Sequence, residues 1–190
     1  MSKTKIIIFS IIGAVIAIIA IFGSGYNSLV RSDNQVKAAW SQVDNVMQRR
    51  ADLIPNLQNS VKGSMNQESK IFGQIAEART QYNKAASGKE KLEANDKLTD
   101  KTNMLINVIH ENYPTLESSN NVKSLMTQLE GSENRISTER RHYIQAVQDY
   151  NNKVSQFPSV ILASMFGFDK KPEYKAPEKA QTVPEVNFND

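Results

Sequence analysis

The chain has 190 residues, 39% of them hydrophobic, which is enough for one folded domain in addition to an anchor. Its 23 Lys and Arg residues and 20 Asp and Glu residues are scattered along the chain, so no basic stripe could follow the phosphates of a nucleic acid. There is no Cys, which excludes disulfide bonds and thiolate metal sites and leaves the burial of apolar side chains as the source of stability.

The first predicted element is a transmembrane helix at residues 6–25, preceded by a short N-terminus at residues 1–5. No charged residue occurs between Ile6 and Val30, and the aliphatic run approaches the roughly 20 residues that a helix needs to cross a bilayer core. A cleaved signal peptide is the alternative, because Lys3 and Lys5 form a basic start, but the run exceeds the roughly 7–15 apolar residues of a signal peptide. The sequence therefore predicts an anchor retained in the lipid bilayer. A slight charge bias predicts a cytoplasmic N-terminus and an extracytoplasmic body.

Residues 26–158 form the predicted body of the protein. Apolar residues recur there at alternating spacings of three and four, the pattern of a helix that packs one face against its neighbours, and no stretch alternates with period two. The pattern predicts an all-α fold with coiled-coil-like packing. The predicted core residues are Val36, Trp40, Val43, Met47, Ile54, Leu57, Val61, Ile71, Ile75, Leu105, Ile109, Leu125, Leu129, Ile136, Tyr143 and Tyr150.

Pro55 interrupts the first long helical run. Because proline lacks an N–H and clashes with the preceding turn, the run must either kink or reverse there. The heptad pattern that continues across Pro55 favours a kink, whereas a reversal would give an up-and-down four-helix bundle. Later breaks are predicted at Ser87-Gly88, where glycine can adopt the positive φ of a helix end, at Tyr113-Pro114 and at Phe157-Pro158.

Three charged residues, Arg50, Glu68 and Glu139, fall at positions that the pattern assigns to the core. A buried charge is tolerated when it is paired, and one interpretation is that Arg50, Arg135 or Arg140 pairs with Glu68 or Glu139 and fixes the helix register. The alternative is that these side chains lie at the edge of the bundle and extend into water.

A short apolar segment at residues 159–168 precedes the charged tail. It is too short to span a membrane, so it must rest on the membrane surface, cover the end of the bundle or form an edge that binds a protein. The three prolines of the tail, residues 169–190, predict an extended or mobile terminus. The candidate contact residues are Val160, Ile161, Leu162, Met165, Phe166 and Phe168.

No catalytic or cofactor motif is found in the sequence. The two histidines, His110 and His142, are not in an H-x-x-x-H or H-E-x-x-H arrangement, and the P-loop, nucleophile elbow and dinucleotide fingerprint are missing. The sequence therefore predicts a protein that is not an enzyme and needs no cofactor or metal. A membrane-bound enzyme with an unrecognised site is the alternative.

Three stretches resemble the LemA family in the family's own order: YNSLVRSDNQVKAAWSQVDNVMQRRADLIPNLQNSVKG at 26–63, LEGSENRISTERRHYIQAVQDYNNKVSQFPS at 129–159 and FGFDKKPEY at 166–174. The resemblance implies an N-terminal anchor and an up-and-down four-helix bundle, and it favours a reversal or sharp break at Pro55. It also implies a membrane-associated structural or regulatory factor, linked in one branch to magnetosome formation. Ser32 and Asp33 depart from the family, which more often has basic residues there.

These features predict a single-pass protein of the bacterial inner membrane that acts as a non-catalytic scaffold. Its partners are expected to be the lipid bilayer, further copies of itself and, in an alternative interpretation, another membrane protein such as a metalloprotease that it regulates. Such a partner would bind a helix face or residues 160–168.

Overall fold

The structure is a computed structural model that describes residues 3–173, with side chains described from Ile7 onward. These residues contain helices and turns and no strand, which confirms the predicted all-α class. The helices are α1 (Lys3–Val61), α2 (Ser69–Lys84), α3 (Gly88–Asn112), the single turn α4 (Pro114–Glu117), α5 (Asn120–Ser155) and α6 (Ser159–Phe166), with a 3₁₀ turn at Asn66–Glu68.

The chain divides into two compact units. The central unit is Val30–Ala146, and the terminal unit combines the chain up to Leu29 with the chain from Val147 onward. Helices α1 and α5 each contribute residues to both units.

The central unit is a bundle of four helical segments, from α1, α2, α3 and α5. Helices α2 and α3 pack on each other, and the ring of Trp40 on α1 lies edge-on to Tyr143 on α5, with 5.4 Å between ring centroids. Lys91 of α3 forms a 2.6 Å ion pair with Asp44 of α1. Because short turns join successive helices, the predicted four-helix bundle is confirmed.

The predicted core residues occupy the interior of the helical body to different degrees. Trp40, Ile71 and Tyr143 are half-buried, and Tyr150 is buried in the terminal unit. The remaining predicted core residues are buried in the central unit: Val36, Val43, Met47, Ile54, Leu57, Val61, Ile75, Leu105, Ile109, Leu125, Leu129 and Ile136.

Helix α1 continues through Pro55 to Val61, so the reversal that the family resemblance favoured there is wrong. Ile54, Leu57 and Val61 are fully buried, and burial of each aliphatic side chain contributes about 1.5–3 kcal/mol. Together they outweigh the roughly 3 kcal/mol that proline costs inside a helix. The chain turns instead at residues 62–68, where the Met65 N–H donates to the Val61 carbonyl at 3.1 Å.

The break at Ser87-Gly88 works differently from the prediction. Ser87 is the N-cap of α3, and its hydroxyl accepts a 3.2 Å hydrogen bond from the Glu90 N–H. Gly88 has no positive φ and begins α3; a Cβ there would lie 3.1 Å from Cζ2 of Trp40, so glycine lets the indole approach. Among the described residues positive φ occurs at Gly167, which ends α6.

Candidate functional site

The N-terminal part of α1 presents a continuous apolar surface. We define the apolar segment as residues 7–22, whose isoleucine, valine and phenylalanine side chains are all exposed. Within the described part of the chain, α1 is the one helix whose length and composition would allow it to cross a membrane, and its most apolar window has no buried residue. Exposing so much aliphatic surface to water is unfavourable, whereas a hydrocarbon environment accepts it.

Helix α6 packs against α1 within the terminal unit, beside the end of the apolar segment and the residues that follow it. Its inward side chains, Leu162 and Ala163, are buried. A Cβ at Gly25 would lie 2.6 Å from Cδ1 of Leu162, so this glycine allows the two helices to approach closely. The role of Gly25 could not be predicted from the sequence, because a glycine within an apolar helix gives no signal of what will face it.

An aromatic cluster joins α1 to the end of α6. The ring of Tyr26 makes edge-to-face contacts with Phe166 and Phe168, with centroid distances of 4.9 Å and 5.9 Å. Contacts of this kind contribute about 0.5–1.5 kcal/mol each beyond the burial of area. They hold α6 beside the last turns of the apolar segment.

The residues after α6 are bound to α5. The Tyr150 hydroxyl donates to the Asp169 carbonyl at 3.0 Å, and the Asn151 side chain both donates to and accepts from the backbone of Lys171 at 2.9 Å. The Lys171 ammonium lies 4.9 Å from the centroid of the Tyr150 ring. The start of the predicted mobile tail is therefore ordered as far as these contacts reach, and residues 174–190 lie outside the described residues.

The six candidate contact residues of this segment divide into two groups. Leu162 is buried and Phe168 is half-buried, and both make intramolecular contacts. The other four, Val160, Ile161, Met165 and Phe166, are exposed. Because Phe166 contacts the ring of Tyr26, we define the outward face of α6 as Val160, Ile161 and Met165.

The central unit has an open cleft of about 850 Å³ between α3, α4 and α5. Apolar side chains such as Ile106 and Met126 line it together with charged ones, including Lys123 and Glu130. At its rim Nδ1 of His110 lies 2.8 Å from the Glu117 carboxylate. A cleft of mixed polarity suits binding of a partner or ligand.

Arg50 lies at the base of this cleft and is the buried charge that the sequence indicated. Its side chain is 3% exposed, pairs with the Glu133 carboxylate and donates to the Thr99 hydroxyl. Burial lowers the pKa of the Arg50 guanidinium, and the charge of Glu133 opposes that shift. The predicted pairing of Arg50 with Glu68 or Glu139 is therefore wrong.

The other ion-pair candidates are placed as follows. Arg140 pairs with Asp96 across α5 and α3. Glu139 lies 3.3 Å from Nδ1 of His142 on its own helix. Arg135 is exposed, and the half-buried Glu68 ends the 3₁₀ turn; neither contributes a described ion pair at the base of the cleft. In the described residues no cluster of three or more His, Asp or Glu side chains could hold a metal ion.

Comparison with known proteins gives the family of this chain. The pattern of the LemA family matches residues 39–188. The chain belongs to the LemA family. Magnetosome proteins MamQ 2 and MamQ 1 of Paramagnetospirillum magneticum are each 28% identical to it over 197 residues, spanning 90% of this chain and 72% of the relative. Magnetosome protein MamQ of Magnetospirillum gryphiswaldense is 25% identical over 185 residues, spanning 84% of this chain and 67% of the relative.

In this LemA chain the family match covers the central unit from Ala39 onward and continues past α6. The apolar segment precedes the match, and it supplies an independent indication of membrane association. Family and apolar helix together support a membrane-associated protein.

Proposed function

We propose that this LemA protein is a single-pass membrane protein whose helical body acts as a non-catalytic scaffold and assembles with itself at the bilayer. The observation that carries the proposal lies in one helix. Helix α1 begins with the exposed apolar segment and continues, without a break, into core residues of the central unit such as Val43 and Met47. A helix built in this way ties a folded bundle to a lipid surface, and confinement to that surface favours association between copies.

Two further observations agree with this proposal. The magnetosome relatives reported above are in keeping with the structural role that the family resemblance implies. The bundle buries its apolar residues and presents polar helix faces, as expected of a body in water. We place the N-terminus in the cytoplasm of a bacterial cell, with the anchor in the inner membrane and the body outside the cytoplasm.

Self-assembly is tested by native mass spectrometry and light scattering of the full-length protein in a mild detergent. The proposal predicts more than one polypeptide in each micelle at concentrations where micelles outnumber chains. The matched variant carries Ile12→Asp and Ile16→Asp, which leave the central unit unchanged but weaken insertion, and it should assemble less at equal concentration. A strictly monomeric wild-type protein would contradict the scaffold role.

A second candidate function is favoured by the cleft of the central unit: regulation of another membrane protein that binds there. Photo-crosslinkers at Asn107 and Thr127, which line the cleft, should capture one defined partner in intact cells. A crosslinker at the exposed Lys62, outside the cleft, is the control and should not capture it. Equal capture from all three positions would reject the cleft as the binding site.

A further inference from the structure

The outward face of α6 is an exposed surface without charge. Residues 160–168 read VILASMFGF and contain no charged side chain. Met165, on this face, is 65% exposed although it is apolar. An amphipathic surface helix would carry polar residues there, and α6 has only Ser159 and Ser164 in eight residues. The described residues of the terminal unit therefore leave this apolar face uncovered.

The outward face continues the surface of the apolar segment. A groove of about 540 Å³ between α1 and α6 is lined by Ile18, Ile19 and Phe22 on one side and by Leu162 and Phe166 on the other. Helix α6 has eight residues and, at about 1.5 Å per residue, is about 12 Å long. The stretch of α1 that lies beside it has about the same length. The exposed apolar surfaces of the two helices thus lie side by side over about the length of α6.

We propose that α6 is a second membrane contact, inserted into the same leaflet as the last turns of the apolar segment. This inference rests on the proposed function, because it takes the bilayer around the apolar segment as given. Lipid acyl chains then cover Val160, Ile161 and Met165 and fill the groove. Asp169 and Lys170, which follow directly, lie among the headgroups, as in helices that penetrate about 5–10 Å into the interface.

Lipid fits this face better than a protein partner does. The groove is lined almost wholly by apolar atoms and has no charged side chain that would orient a protein ligand. A protein partner would also have to displace the lipid that surrounds the adjoining apolar segment. The close approach at Gly25 and the ring contacts of Tyr26 fix α6 at this position, so the contact is built into the fold.

Spin labelling of the full-length protein in phosphatidylcholine and phosphatidylglycerol vesicles tests the proposal. Because the chain has no Cys, single-cysteine variants can be labelled without background. Ile161→Cys and Met165→Cys report on the outward face, Ile16→Cys reports on the apolar segment, and Gln128→Cys on the exposed side of α5 is the water-accessible control. Power saturation then compares collisions with oxygen, which partitions into lipid, and with a nickel chelate, which stays in water.

The proposal predicts that labels at 161 and 165 collide mainly with oxygen, with nickel accessibility several-fold below that of 128 and a depth shallower than that of 16. If the label at 16 lies in lipid while the labels at 161 and 165 are as accessible to nickel as the label at 128, the second membrane contact is overturned and the anchor is still supported. Labels at 161 and 165 that are shielded from both reagents would indicate a protein cover and also overturn it. Nickel access at 16 as well would overturn both the anchor and the second contact.

Discussion

Arg50 shows how one residue of this chain reconciles a charge with a core position. The heptad pattern places it between Met47 and Ile54, both fully buried, and the structure buries it with them. Its guanidinium reaches Glu133, whose side chain is 43% exposed, and Thr99. The two partners of the ion pair therefore differ in their access to water. Without Arg50 the Glu133 carboxylate could be hydrated, whereas without Glu133 the buried Arg50 guanidinium could not be hydrated as easily.

Removing Glu133 should therefore destabilise the bundle. We expect Glu133→Ala to lower the free energy of unfolding by about 1–3 kcal/mol, because it leaves a buried guanidinium with one neutral partner. The measurement is chemical denaturation in detergent, followed by the fluorescence of Trp40, the single tryptophan. Glu139→Ala, which removes the same charge from the same helix, is the control and should change stability by less than about 0.5 kcal/mol. Equal effects of the two substitutions would contradict the assigned pairing.

The sequence identified Arg50 as a buried charge but not its partner. Glu133 lies off the apolar pattern of α5, at the edge of the cleft, and its approach to Arg50 depends on how α1 and α5 are rotated relative to each other. Periodicity fixes which face of a helix is buried but leaves that rotation open. The same reasoning applies to Arg140 and Asp96, which pair across α5 and α3.

The sequence predicted the type of each secondary-structure element better than the residues at which each element ends. Period and length identify helices across the described chain, and Ser87, Pro114 and Phe157-Pro158 mark real boundaries. A reversal was wrongly predicted at Pro55. The proline rule gives the free-energy cost of a proline inside a helix, but not the burial of neighbouring side chains that offsets this cost. Lys62 to Glu68, where the chain turns, contains one glycine and no proline, so its turn signal is weak.

The cap of α3 is one element boundary that can be tested directly. Ser87→Ala should lower the free energy of unfolding by about 1 kcal/mol, because the Glu90 N–H loses its acceptor. Ser137→Ala, at an exposed position within α5, is the control and should leave stability unchanged or slightly raised. The two unfolding midpoints in denaturant give the comparison, and a loss as large at Ser137 would contradict the cap.

Glu90 adds a dependence on pH at the same boundary. Hydrogen bonds from the Ala86 N–H, from the Ser87 side chain and from the Ser87 backbone lower the pKa of the Glu90 carboxyl below its ordinary value of 4.5. The carboxylate therefore stabilises the fold above about pH 4.5, and this contribution is lost as the pH falls through its lowered pKa. The difference in melting temperature between wild type and Glu90→Ala should be larger at pH 7 than at pH 3. A difference that does not change with pH would contradict a role for the ionised carboxylate.

The packing of α6 depends on the glycine at position 25. In Gly25→Ala the new Cβ forces Leu162 to move, and we expect faster hydrogen exchange of the α6 amides. Gly23→Ala is the matched control, because a Cβ there meets no atom within 4 Å. Exchange should be read by mass spectrometry on peptides that cover residues 157–168. Equal exchange in the two variants would show that the close approach at Gly25 does not hold α6.

Two environments organise the chain: lipid for the apolar segment, and water for the polar surface of the bundle. The apolar segment and the helical bundle could both be predicted from sequence, because each depends on patterns that local residues set. That α1 continues as one helix from Lys3 to Val61 could not be predicted, because the change in composition near residue 26 is as typical of a linker as of a helix interior. The groove beside α6 depends on the approach of segments more than 130 residues apart along the chain, about which local patterns carry no information.

Alkaline extraction of membranes from cells that express the full-length protein tests the anchor most directly. We expect the wild-type chain to stay in the membrane pellet at high pH and to be released by detergent. The variant with Ile12→Asp and Ile16→Asp, whose central unit is unchanged, should move to the supernatant, because charges at the bilayer centre cost about 2.5–3.5 kcal/mol each. Wild-type protein that is recovered in the soluble fraction without detergent would contradict the anchor.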